Sequence, residues 1–167
     1  MSGSPTDTHT ISVLVTNKPG VLVRISNLFS RRGFNIESLV VSPALDGQFS
    51  RMTITAFGEH NDLDQIIKQL NKLIDVIHAF EHDAKDIVVR ELLLIKVKVN
   101  DARRAEVLQI VDHFDAITID FSDNHLLVEL TADSQRIDSF IEMLNPYGLQ
   151  EMVRTGKIVA TKGAVNT

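Results

Sequence analysis

The spacing of hydrophobic residues changes along the first half of the chain from alternating to helical and back. Residues 11–16 alternate apolar and polar side chains and end at Asn17-Lys18-Pro19-Gly20, which predicts a strand followed by a turn. From residue 21 the apolar residues recur at helical spacing as far as Gly33, a residue type that favours the backbone conformation of a helix C-terminus. The predicted inward face of this helix comprises Val21, Leu22, Ile25, Leu28 and Phe29.

Three strands and a second helix complete this half. The strands are predicted at residues 36–42, 50–57 and 75–82, where apolar residues are bounded by turn-forming ones. The helix before the last strand is predicted to be capped by Asn61 or Asp62. The resulting order, βαββαβ, is that of a ferredoxin-like domain. The predicted inward face of the second helix comprises Leu63, Ile66, Ile67, Leu70 and Leu73.

The same order of elements is predicted again after a polar stretch at residues 82–86. The second half therefore repeats the topology of the first, and the sequence predicts an α+β protein with two tandem ferredoxin-like βαββαβ domains. The predicted strands are residues 92–99, 117–121, 126–131, 149–153 and 158–161, and the helices are residues 105–114 and the stripe Ile137, Phe140, Ile141 and Leu144, ended by Asn145-Pro146.

These elements also predict the domain boundaries. Residues 1–8 form a flexible leader, residues 9–83 the first domain, residues 84–88 a linker and residues 89–167 the second domain. Because each domain is small enough to be marginally stable alone, pairing of edge strands or dimerisation is expected to add stability.

Composition narrows the class of protein. Of the 167 residues, 44% are hydrophobic, a fraction typical of globular proteins. No run of about 18 apolar residues predicts a membrane-spanning helix, and the N-terminal residues lack the pattern of a signal peptide. With no cysteine, neither disulfides nor thiolate chemistry is available, and these features together predict a cytoplasmic protein. The net charge of −5 argues against nucleic acid as a partner.

The turn at residues 17–20 is the first candidate for a binding site. It leads into the first helix, where backbone N–H groups lack partners within the helix and, with the helix dipole, attract a carboxylate or phosphate. Gly20 allows a ligand close to the backbone, and the amide of Asn17 offers donors and an acceptor that suit a zwitterion. Taken by itself, the residue pattern favours the simpler interpretation of a turn that begins a helix.

Other kinds of site have less support in the sequence. There is no G-x-G-x-x-G, no P-loop and no G-x-S-x-G motif, so no catalytic residue and no phosphate-binding cofactor are predicted on this chain. His78 and His82 share one face of a predicted strand, which raises a metal-dependent sensor or enzyme as an alternative. The spacing of the remaining candidate ligands matches no known metal motif, so the sequence predicts no metal site.

Several segments are distinctive in combination. In the first half they are residues 9–15, 17–22, 24–25, 28–39, 50–54 and 65–76, including Asn-Lys-Pro-Gly-Val-Leu and Arg-Arg-Gly-Phe-Asn-Ile-Glu-Ser-Leu, and in the second half Arg-Glu-Leu at 90–92 and Arg-Thr-Gly at 154–156. The first half resembles an ACT domain, a module that senses amino acids in many metabolic enzymes. More narrowly, nearly the whole chain resembles the regulatory (small) subunit of acetolactate synthase, also called acetohydroxyacid synthase.

The resemblance implies a non-catalytic regulatory subunit in branched-chain amino-acid biosynthesis. Such subunits bind a large catalytic subunit that condenses two 2-oxo acids, raise its activity and make it sensitive to feedback inhibition by valine, with leucine and isoleucine as alternatives. The implied arrangement is a homodimer through the ACT domains. Thiamine diphosphate, magnesium and FAD are expected on the catalytic subunit. The alternative is a free-standing ACT-type sensor of another enzyme or of transcription.

The resemblance also implies where the effector binds. It is expected between the ACT domains of a dimer, held by the strand-to-helix loop of one copy and by strand residues of the other. One departure is Asn17, which occupies a position where many ACT domains carry an acidic residue. The residues carried over to this chain are Asn17, Gly20, Val21 and Leu22 on one side, and Asn35 and Ile36 on the other.

Overall fold

The computed structural model describes residues 7–164 and 167. These residues divide into two compact units, of which unit 1 comprises the residues up to Val88 together with residues 156–167, and unit 2 comprises residues 89–155. The predicted leader at residues 1–8 lies largely outside the described residues. Its last two residues already belong to the first strand, β1, which begins at Asp7.

Unit 1 is a four-stranded antiparallel sheet with two helices. Its elements and those that follow are β1 (Asp7–Thr16), α1 (Val21–Arg31), β2 (Asn35–Pro43), β3 (Phe49–Gly58), α2 (His60–Leu70), β4 (Val76–Glu81), β5 (Ile87–Lys98) and β9 (Ile158–Thr161), which pairs with β5. The strand order is β2-β3-β1-β4, and β5 leads out of unit 1 into unit 2. The sequence elements are therefore found in the predicted order.

The core of unit 1 lies between the sheet and the two helices. Every second residue of β1 faces it, because side chains alternate along a strand, and the helices contribute residues spaced by three or four. Each such Ile or Leu stabilises the fold by about 1.5–3 kcal/mol through burial. Leu22, predicted on the inward face, is instead 40% exposed. Buried members include Ile11, Val13, Val15, Val21, Ile25, Phe29, Leu63, Ile66 and Leu70.

The end of α1 shows why two glycines are needed. Gly33 has a φ of +72°, and the following amide of Phe34 donates to the carbonyl of Phe29 at 3.0 Å, as predicted for a helix C-terminus. The ring of Phe34 then fills the space beside Gly58. A Cβ on Gly58 would lie 2.2 Å from Cε1 of Phe34, so any larger residue would displace that ring.

The start of α2 differs from the prediction. The helix begins at His60, and its first turn is closed by the carbonyl of Glu59, which accepts from the amides of Asp62 and Leu63 at 3.2 and 3.1 Å. The predicted cap at Asn61 or Asp62 is therefore wrong. The helix starts earlier because it follows β3 after a single residue.

Unit 2 repeats the topology with its own core. The elements after β5 are α3 (Arg104–His113), β6 (Ile117–Phe121), β7 (His125–Ala132), α4 (Ser134–Leu144), a 3₁₀ turn (Asn145–Tyr147) and β8 (Leu149–Arg154). The strand order β6-β7-β5-β8 corresponds to that of unit 1, so the predicted fold class is confirmed.

None of the helices in the described residues of either unit has the length and apolar character of a membrane-spanning segment.

The C-terminal segment corrects one predicted boundary. The sequence assigns residues 89–167 to the second domain, whereas residues 156–167 belong to unit 1. Gly156 packs so closely on β2 that a Cβ there would lie 2.9 Å from the side chain of Ser38. Val159 is buried, and the amide of Lys162 donates to the carbonyl of Asp86 at 2.8 Å. These contacts anchor the segment to unit 1.

A buried charge ties three elements of unit 2 together. Glu91 on β5 is only 4% exposed, and its carboxylate accepts from the guanidinium of Arg154 and the hydroxyl of Ser134. Arg154 also donates to Asp138 at 2.6 Å. Burial lowers the pKa of Arg154, but its hydrogen bonds to Glu91 and Asp138 outweigh that effect and raise it above its ordinary value. The cluster links β5, β8 and α4.

Replacing Arg154 by Met tests this cluster. The change leaves the Glu91 carboxylate buried without its cation, and we expect the free energy of unfolding to fall by about 2–3 kcal/mol in urea denaturation. The control is Lys96→Met, which breaks the exposed pair of Lys96 and Glu151 between the same two strands and should have a much smaller effect. Equal destabilisation by both variants would contradict the role given to burial of Glu91.

Candidate functional site

The loop between β1 and α1 is open to solvent along its whole length. Residues 17–20 are all exposed, and Gly20 adopts a φ of +85°, in the left-handed region that other residues rarely adopt. A Cβ added to Gly20 would have no atom of the described chain within 4 Å. The backbone at Gly20 can therefore be approached closely by a ligand.

The free backbone amides at the N-terminus of α1 have neither a side-chain cap nor a nearby acidic side chain. The N-cap residue, Gly20, has no side chain to accept a hydrogen bond, and the first turn contains no acidic residue. The other α-helices of the described residues carry either an acid in the first turn or a side-chain cap, as where Asp133 accepts from the amide of Arg136 at 2.9 Å. The first amides of α1 are consequently available to an anion, since nothing within the helix satisfies them.

Two sets of hydrogen bonds hold this loop in place. The backbone amide of Asn17 donates to the carbonyl of Gln48 at 2.8 Å, and its side-chain Nδ2 donates to the carbonyl of Gly47 at 3.1 Å. The side-chain Nδ2 donor that was predicted to contact a ligand is thus used within the chain. The side-chain Oδ1 of Asn17 is the acceptor that this residue can offer to a ligand. The loop is fixed to the turn between β2 and β3.

Asp75 supports the other side of the loop. Its carboxylate accepts from the hydroxyl of Thr16 at 3.2 Å and pairs with the guanidinium of Arg24 in the second turn of α1. Asp75 thereby connects the end of β1 to the beginning of α1. Sequence reasoning did not identify Asp75 or Arg24 as part of this site. The only available signal was their position beside the predicted ends of elements.

The other predicted residues form a second, separate surface. Asn35 is exposed and Ile36 is half-buried at the start of β2, where both line a shallow cavity of about 470 Å³ together with Ser26 and Ser30 of α1. This cavity offers an amide, two hydroxyls and an apolar side chain. The side chains that line it suit a small molecule with both polar and branched apolar groups.

The two surfaces lie at opposite ends of the same sheet. Val15, next to the loop, is paired with Ser50 of β3, whereas Ile36 is paired with Ala56 toward the other end of that strand. Helix α1 separates them along its length. The side chain of Val21 is buried in the core, so only its backbone amide is available to a ligand. Within the described residues, the predicted site residues of one chain therefore form two separate surfaces and are not brought together.

The imidazole rings of His78 and His82, considered above as a metal site, do not meet at a common point. The ring of Phe80 lies between the two histidines, with centroid distances of 5.1 Å to His78 and 4.7 Å to His82. His82 is hydrogen-bonded through Nε2 to the hydroxyl of Ser12 at 2.6 Å. His78 stacks on the ring of Phe80 and His82 meets that ring edge-on, so the two imidazoles provide no common position for a cation.

Comparison with known sequences identifies two matching profiles. Residues 11–78 match the AHAS small subunit-like ACT domain, and residues 90–163 match the small subunit of acetolactate synthase. The acetolactate synthase small subunit of Mycolicibacterium smegmatis is 44% identical over 158 residues, 95% of this chain and 93% of that protein. The corresponding protein of Mycobacterium bovis is 46% identical over 156 residues, 93% of each chain.

A solved structure agrees with these sequence matches. The crystal structure of the acetolactate synthase small subunit from Thermotoga maritima superimposes with a TM-score of 0.86 at 35% sequence identity. The match covers 95% of this chain and 99% of the other. Similarity thus extends over both units, including the loop at residues 17–20 and strand β2.

The environment of His82 predicts a pH dependence of stability. Burial and the nearby charge of Arg51 lower the pKa of His82 below its ordinary value of 6.5. The unfolded chain therefore binds a proton at higher pH than the folded chain does, and the free energy of unfolding should decrease as pH falls through about 6.5.

Denaturant unfolding at about pH 7.5 and 5.5 measures this effect. We expect His82→Gln to reduce the difference between the two pH values, and His78→Gln, on the same strand face, to leave it nearly unchanged. An unaltered difference in His82→Gln would show that another group is responsible.

Proposed function

Because the chain belongs to the acetolactate synthase small-subunit family and is thus a regulatory subunit, we propose that it activates the catalytic subunit and confers feedback inhibition by valine. The observation that supports the effector site best is the uncapped N-terminus of α1, where Gly20 leaves the amides of Val21 and Leu22 open to a carboxylate. The effector is proposed to bind there in a dimer of the ACT domains.

The position of β2 supports a dimer that completes the site. β2 is an edge strand, paired only with β3 among the described residues, and it carries the exposed apolar side chain of Val41. A second copy is proposed to add to this edge antiparallel to the first, about a two-fold axis. Pro43 lies at the loop end of the sheet and Asn35 at the other end. Antiparallel pairing therefore places the Asn35 end of one copy beside the loop end of the other.

The chemistry of the two half-sites matches a small amino acid. The valine carboxylate is proposed to accept from the amides of Val21 and Leu22, where the helix dipole favours negative charge. The valine ammonium would donate to side-chain oxygens such as those of Asn17 and Asn35. The branched side chain of valine would contact Leu22 and Ile36, which are 40% exposed and half-buried in the isolated chain.

Regulation is proposed to work through the dimer. Valine inhibits only if it binds more tightly to a complex in which the catalytic subunit is less active, and a coupling free energy of about 1–3 kcal/mol suffices for this. Thiamine diphosphate, magnesium and FAD would be held by the catalytic subunit. The present chain would act by favouring one arrangement of the complex over another, and it would take no direct part in the reaction.

The test is acetolactate formation from pyruvate by the cognate catalytic subunit, with and without this chain, across a titration with valine. We expect the chain to raise the rate and valine to lower it again. In Gly20→Asp, a carboxylate at the helix N-terminus repels that of valine. Activation should persist in this variant, while the valine concentration for half-inhibition should rise by roughly tenfold or more.

Gly163→Asp is the matched control for this assay. Gly163 also has a positive φ, +79°, and no atom of the described residues lies within 4 Å of its Cβ position, so the substitution carries similar strain and the same charge. We expect its valine response to match that of the unmodified chain. If the chain changes neither the rate nor the response to valine, the proposal fails and a free-standing ACT-type sensor becomes the better interpretation.

A further inference from the structure

Three potential metal ligands meet at the end of the unit 1 sheet that lies away from the α1 loop. They are His9 near the start of β1, His60 at the first position of α2 and Glu81 at the end of β4. One ligand atom from each lies within 4.8 Å of the others. The residues are far apart in the chain, and only the antiparallel pairing of β1 with β3 and β4 brings them together.

The hydrogen bonds of His9 leave one of its ring nitrogens directed at the cluster. His9 is 5% exposed, and its Nε2 lies 3.2 Å from the carbonyl of Gly58, which can only accept. We assign the proton to Nε2 on this geometry, so that Nδ1 presents a lone pair. Metal-binding histidines almost always donate their second ring N–H to a carboxylate, a backbone carbonyl or water, which fixes both the tautomer and the ring orientation.

The carboxylate of Glu81 lies between the two histidines. Its Oε1 is 2.6 Å from Nδ1 of His9, and its Oε2 is 3.7 Å from Nδ1 of His60. Two electron-rich atoms 2.6 Å apart require a cation between them, either a proton or a metal ion. Zn²⁺ bonds of about 2.0–2.2 Å would place ligand atoms roughly 3.3 Å apart, so movements of less than about 1 Å would convert this cluster into a coordination site.

We propose that His9, His60 and Glu81 form a binding site for one divalent transition-metal cation, of which Zn²⁺ is the reference. Two imidazoles and one carboxylate favour Zn²⁺ and its neighbours over Mg²⁺ or Ca²⁺, which prefer oxygen ligands. The side chain of His60 is 66% exposed, so water has access to a fourth position. The sequence predicted no metal site on this chain, because these residues have no recognisable spacing.

Such a metal would join β1, β4 and the start of α2. It would fix the end of the sheet opposite the α1 loop, and its binding free energy would add to the stability of unit 1. The site uses none of the residues assigned to the effector. Zn²⁺ binding at this site is therefore independent of the proposed response to valine, and either can be absent without the other.

The experiment uses the full chain without a histidine tag, freed of metal by a chelator and titrated with ZnCl₂ in a calorimeter. We expect one Zn²⁺ per chain and a higher Tm in its presence. His60→Ala removes an exposed ligand without disturbing the core, and we expect it to weaken Zn²⁺ binding at least tenfold. Its matched control is His78→Ala, which removes an exposed imidazole from the same unit and should bind Zn²⁺ as the unmodified chain does.

A spectroscopic measurement separates coordination from nonspecific binding. Co²⁺ bound by His9, His60 and Glu81 should give the visible d–d bands of a low-symmetry site in the unmodified chain and in His78→Ala, and lose them in His60→Ala. Equal Zn²⁺ affinity in His60→Ala and the unmodified chain would overturn the proposal. So would the absence of saturable binding by the unmodified chain, which would leave a shared proton as the cation between His9 and Glu81.

Discussion

The reversal of the chain between β1 and α1 is the constraint on which unit 1 depends. β1 is an inner strand of the sheet and is hydrogen-bonded on both sides, to β3 and β4, so its end is fixed in direction. The helix must nevertheless return across the sheet and place Val21, Ile25 and Phe29 in the core. Gly20, at a φ of +85°, makes this possible, and Asp75 fixes both ends of the turn through Thr16 and Arg24. The same geometry leaves the first amides of α1 without a side-chain cap, so the turn that folding requires is also the place proposed for the effector carboxylate.

Much of this fold could be predicted from the sequence because its elements are strongly periodic. The alternation in β1, the helical stripe of α1 and the stop at Gly33 each depend on local spacing, and each is found as predicted. Leu22 was misplaced because helical spacing alone does not define the width of the buried face. The start of α2 was misplaced because a helix can begin with a backbone cap that has no side-chain signal. The return of residues 156–167 to unit 1 depends on close packing of Gly156 against β2. The spacing of hydrophobic residues along the sequence gives no signal for such a contact.

The candidate site could be predicted only in part, because some of its residues are neighbours in the sequence and others are brought together only by the fold. The loop at residues 17–20 is local in sequence, and its turn residues indicate a helix N-terminus directly. Its support by Asp75 and by the carbonyl of Gly47 comes from distant parts of the chain. The same is true of His9, His60 and Glu81, whose meeting depends on strand register. Asn35 and Ile36 lie at the far end of the sheet from the loop, and a second copy that would unite them with the loop is implied by the family resemblance and not by the residue pattern.

The central claim is that each effector site is built from two copies of the chain, and mixing two defective variants tests it most directly. Gly20→Asp damages the loop half of every proposed site and Asn35→Ala damages the strand half, so a dimer of either variant alone should bind valine much more weakly than the unmodified dimer, roughly tenfold or more for Gly20→Asp. In a mixed dimer, one site combines both defects and the other contains neither. After subunit exchange in an equal mixture, valine binding measured by calorimetry should therefore return to about one quarter of the sites. A mixture that binds no more valine than the separate variants would contradict the account, since both groups would then act within a single copy.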